Sequence, residues 1–134
     1  LFECPDLYKV GVVSNPMDAR ITNHTSEHVN KYQGLNGPKE NKCYPEQLAK
    51  NWDGKLLLLQ SMSGGFSDCY PPAGMFRVIE ALRKANKDFD FIINPHAESF
   101  QLSSYDYRRV WDYFVTHLAG DQPPKEFSLG EFSV

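Results

Sequence analysis

Four consecutive leucines, Leu56 to Leu59, constrain most strongly what this chain can fold into. By propensity alone they suit a helix. Asp53-Gly54 precedes them and a Ser/Gly cluster, Ser61 to Gly65, follows, so the regular element reaches only from Lys55 to Gln60. That is the length of a strand rather than of a helix. A strand that is apolar at every position must be covered on both faces, and such strands belong to parallel sheets with helices on either side.

Other segments agree. Tyr8 to Val13 reads as a second buried strand, stopped by Asn15-Pro16, and Phe89 to Ile93 as a third, stopped by Asn94-Pro95. Residues 14 to 44 are polar and turn-rich, with a short helix expected over Ser26 to Tyr32, capped by Thr25 or Ser26. Pro45 to Trp52 predicts another short helix with Pro in its first turn, where a missing N–H costs nothing. Pro72 to Lys87 predicts an amphipathic helix with Met75, Phe76, Val78, Ile79, Leu82 and Ala85 on its apolar side. The last helix is expected from Tyr105 to Leu118. Its core stripe would be Tyr107, Val110, Trp111, Phe114, Val115 and Leu118, and Gly120 would end it. The tail, with Pro123-Pro124, reads as extended.

The order strand, excursion, strand, helix, strand, helix predicts an α/β fold with about three parallel strands and flanking helices, in one domain over residues 1–134. Three strands are few for runs this apolar. At least one sheet edge is therefore expected to pair with a further strand, supplied by a partner chain or by a homo-oligomer.

Composition removes several function classes. The net charge is −3 and the Lys and Arg residues are scattered, so no nucleic-acid partner is expected. The cluster Arg83-Lys84, with Lys87 one turn on, reads as a solvated helix face. No run of about 18 apolar residues is present, and no membrane span is expected. Leu1 to Pro5 has neither the basic flank nor the apolar stretch of a signal peptide, and the first residue is not Met. The chain reads as cut from a longer gene, which leaves its compartment unknown.

Cys4, Cys43 and Cys69 have no CxxC spacing, and an odd number cannot complete a disulfide framework, so they read as thiols. His24 and His28 have the spacing of a helical metal pair but no third ligand, and no HExxH occurs. Asn23-His24-Thr25 reads as the start of a helix and matches a glycosylation sequon by pattern only. No metal and no cofactor are expected.

Several segments together resemble one family in a single register. Gly54 to Leu59 resembles the strand that leads to the catalytic Asp in prolyl oligopeptidase and dipeptidyl-peptidase-like serine peptidases. Ala81 to Asp90 is similar to the helix and turn that follow it. Arg108 to Leu118 and Pro123 to Phe127 resemble the terminal helix and tail, and Pro5 to Val12 the segment after the nucleophile helix, with Lys31 to Gly34 also fitting. The resemblance implies the C-terminal portion of an α/β-hydrolase fold with a Ser-Asp-His triad in that order. It implies a peptide substrate for the complete enzyme. In that chemistry the Ser oxygen attacks the carbonyl, the His takes its proton and the Asp orients the His and stabilises its cation. Relatives of this kind are often periplasmic or secreted.

The sequence departs from the family pattern at each triad position. The family's G-x-S-x-G elbow is expected upstream of Pro5, and the chain starts at Leu1. The family's His-Gly-x-x-Asp-Asp after the central strand reads Gln60-Ser61-Met62-Ser63-Gly64-Gly65 here, with Gly64-Gly65 at the ungapped Asp positions. The loop is also longer, and Asp68 fills the acid role if the insertion precedes it; otherwise it is a solvated turn former. Where the family reads Pro-Asn-x-x-His, this chain has Pro95-His96-Ala97-Glu98-Ser99-Phe100. Glu98 stands in the usual His slot and His96 is displaced from it, although a general base must come within about 3 Å of its proton. Ser63, in Ser61-Met62-Ser63-Gly64-Gly65, loosely resembles a second elbow, but no helix follows it directly.

Three readings stay open from the residues. The chain is the C-terminal piece of a peptidase domain that is inactive alone, with Asp68 and His96 as its candidate catalytic residues. Alternatively it is part of an active dipeptidyl- or oligopeptidase whose Ser lies on other sequence. The third reading is a non-enzymatic binding module on a hydrolase scaffold, with Tyr70, Phe100, Tyr105 and Tyr107 as pocket-lining candidates.

Overall fold

A computed structural model of the chain describes residues 1–16, 45–62, 72–95 and 102–129. Three strands form one sheet: β1 (Val10–Ser14), β2 (Lys55–Ser61) and β3 (Asp90–Asn94). They lie side by side in chain order and all pairings are parallel, with Gly11 opposite Leu56 and Leu58 opposite Phe91. The helices are α1 (Pro45–Leu48), α2 (Ala73–Lys84) and α3 (Ser104–Phe114). Single 3₁₀ turns sit at Pro5–Leu7 and Ala49–Asn51, and a wide π turn, Val115–Ala119, continues α3.

The leucine run is the centre of the molecule. Leu56 and Leu58 pack to one face against Met75, Val78 and Leu82 of α2, and against Phe2, Ala49 and Trp52. Leu57 and Leu59 pack to the other face against Tyr113, with Val10, Val12, Ile92 and Val110 around them. All four leucines are buried, each removing from water a side chain whose transfer contributes ~2 kcal/mol. This is the doubly covered parallel strand that the sequence pattern predicts.

Local chemistry sets the element ends. Asn86 takes the left-handed conformation after α2, while the N–H groups of Lys87 and Asn86 donate to the carbonyls of Leu82 and Arg83. That is a Schellman ending, with Asn in the place usually held by Gly. Gly120, with φ 75°, closes the π turn. Gly54 lets β1 and β2 begin together, because a Cβ there would stand 2.6 Å from the Lys9 carbonyl oxygen and 2.7 Å from the Trp52 ring.

Two details differ from the sequence-based expectation. Phe76 lies on the flank of α2 and stays half-exposed rather than facing the sheet. The stripe expected on the last helix is also rotated. Tyr107, Trp111 and Leu118 are exposed, while Tyr113 and Asp106 are buried with Val110 beside them. The reason is polar. Asp106 bonds to Asn94 at the end of β3, and Tyr113 packs on Leu57 and Leu59 with its phenol near the Asp90 carboxylate. These contacts fix the rotational setting of α3, and apolar periodicity alone does not register them.

Among the described residues β1 and β3 are the outer strands of the sheet. The Lys9 carbonyl accepts from Lys55 N–H and the Asn15 N–H donates to Leu59, so alternate residues of β1 turn their backbone groups toward β2. Val10, Val12 and Ser14 therefore turn theirs outward. Among the described residues no strand pairs with them.

Candidate active site

In open α/β sheets ligands bind beyond the carboxyl ends of the strands. Here those ends are Ser14-Asn15 on β1, Ser61-Met62 on β2 and Asn94-Pro95 on β3. Ser61 stands opposite Asn94 in the parallel register, and the Met62 N–H donates to the Asn94 carbonyl at 2.9 Å. The segments that carry Asp68 and His96 thus leave neighbouring strands at the same level of the sheet. Asp68, His96, Glu98 and Ser63 themselves lie outside the described residues, as do His24, His28, Cys43, Cys69, Tyr70, Phe100 and the helix expected over 26–32.

The strand ends are held by side chains. Asn15, in the left-handed conformation, uses its carboxamide like an extra residue of strand. Its Oδ1 accepts the Ser61 N–H at 2.8 Å and its Nδ2 donates to Ser61 Oγ at 3.3 Å. The Ser61 hydroxyl is therefore a buried structural group. Gln60, also buried, donates from Nε2 to the Ser61 carbonyl at 2.8 Å. On the other side Asp106 Oδ2 accepts from Asn94 Nδ2 at 2.9 Å, from Ser103 Oγ at 2.8 Å and from Ser103 N–H at 3.1 Å. Ser103 Oγ in turn accepts the Asp106 N–H, which completes a capping box at the start of α3.

Sequence reasoning missed this framework. Ser103-x-x-Asp106 carries the capping-box pattern and could have been singled out. Asn15 and Asn94 had only the strand-ending Asn-Pro signal, which says nothing of what their amides hold. A second polar cluster lies at the opposite end of the sheet. Burial, and then the nearby charge of Asp90, push the Tyr113 phenol well above its usual range, and the His117 ring stands edge-on to it at 4.4 Å.

An apolar cavity of about 270 Å³ lies against Val13, Leu58, Met75 and Val78. Among the described residues its one charged lining group is Glu3, so it holds no acid–base pair. The described residues contain no cluster of three metal-ligating groups. No helix among them is long and apolar enough to cross a membrane. Cys4 is an exposed free thiol, and Tyr105 and Tyr107 stand exposed on α3.

No protein-family model matches the sequence, and no curated protein matches it. Solved structures do match in fold. A dipeptidyl aminopeptidase IV candidate from Bacteroides ovatus superposes with a TM-score of 0.72 at 20% identity, over 87% of this chain and 17% of its own. The acylaminoacyl peptidase of Pyrococcus horikoshii gives 0.68 at 18% identity, over 92% of this chain and 22% of its own. Dipeptidyl peptidase 4 of Porphyromonas gingivalis gives 0.60 at 21% identity, over 80% and 15%. The chain thus spans about a fifth of the length of the structures it matches. Its three parallel strands and flanking helices are a portion of an α/β-hydrolase fold. Over that portion the chain shares the fold of dipeptidyl peptidase IV-like and acylaminoacyl peptidases.

Proposed function

We propose that this chain is the C-terminal part of a serine peptidase catalytic domain of the prolyl oligopeptidase type, and that these residues do not hydrolyse peptides on their own. The observation that carries the reading is the pairing of Ser61 with Asn94. It starts the acid-bearing and base-bearing segments side by side at the carboxyl end of the sheet, where a triad in the order Ser-Asp-His would need them. In this reading Asp68 is the acid and His96 the base, with Glu98 beside it in the family's His slot. The substrate is a short peptide, cleaved by acyl transfer once a nucleophilic serine is supplied. The 134 residues contain no G-x-S-x-G.

The outward edge of β1 is where the missing part joins. Val10, Val12 and Val13 pack on both faces of the sheet, as residues of an interior strand do, and the outward N–H and C=O groups call for a parallel neighbour.

The test is a fluorophosphonate probe and an Ala-Pro chromogenic peptide applied to the purified chain, with Ser63→Ala as control. Neither labelling nor turnover is expected. Labelling that Ser63→Ala abolishes would overturn the proposal, because the chain would then carry its own nucleophile.

A further inference from the structure

We draw no further inference here: the strongest candidate, the exposed apolar stripe of Trp111 and Leu118 along the outward side of α3 and its terminal turn, carries nothing because no feature of the structure shows what covers it.

Discussion

Asn94 and Asp106 are joined by a hydrogen bond of 2.9 Å that closes the span between the end of β3 and the first turn of α3. The same carboxylate oxygen takes two further bonds from Ser103, so one buried acid both caps the helix and ties it to the sheet.

The two roles separate by mutation. Asn94→Ala removes the tie and leaves the capping box, and the expected loss is about 1–1.5 kcal/mol. Ser103→Ala removes the cap and leaves the tie, at a cost of about 1 kcal/mol. Asp106→Ala removes both and is expected to cost at least their sum. Urea denaturation of the three variants checks this; an Asp106→Ala loss no larger than that of Ser103→Ala would show that the tie to β3 contributes nothing.

Tyr113 predicts an alkaline weakness. Its phenol is raised in the folded state, so above about pH 10 the unfolded chain releases a proton that the folded chain keeps. The unfolded state then binds fewer protons, and stability falls with rising pH by up to about 1.4 kcal/mol per unit from this group. Below pH 10 the contribution is fully present. Tyr113→Phe should flatten that limb of the stability curve. At neutral pH it should cost about 1 kcal/mol, because a buried hydroxyl beside Asp90 is removed. Equal alkaline slopes in the two proteins would contradict the assignment.

The rotation of α3 makes a ranking. Leu58→Ala opens space in the core and should cost about 2–5 kcal/mol. Leu118→Ala removes an exposed side chain and should stay within about 0.5 kcal/mol. A stripe facing the sheet through Leu118 would give comparable losses at both positions. Thermal unfolding of the two variants distinguishes the arrangements.

Gly54→Ala places a methyl group against the Lys9 carbonyl and the Trp52 ring, neither of which is a flexible chain end. Overpacking of this kind should cost about 1–3 kcal/mol. A neutral Gly54→Ala in a denaturant titration would mean that β1 and β2 do not meet as closely as described.

Much of the fold was legible because its signals are local. The leucine run, the Asn-Pro stops after β1 and β3 and the apolar side of α2 each point to one answer, and together they leave a covered parallel sheet. The orientation of α3 was not legible. Helical periodicity offers two apolar sides there, one with Val110 and Tyr113 and one with Tyr107, Trp111 and Leu118. The choice is made by Asp106, bonded to Asn94, and by Tyr113, packed on Leu57 and Leu59, and all these partners lie on other elements. The carboxyl-end framework stayed hidden for the same reason. Asn15 and Ser61 are brought together only by the pairing of β1 with β2.

The register of the sheet has a consequence for synthesis. Val10 pairs with Lys55, 45 positions later, whereas Leu57 pairs with Asp90 after 33. On a ribosome β1 emerges before β2 and waits for that neighbour until β2 appears. Contacts this distant form slowly, and unpaired apolar strands are where nascent chains associate with one another. Of the two pairings, β1 with β2 therefore closes over the longer stretch of chain, and the apolar face of β1 waits longest for the strand that follows it.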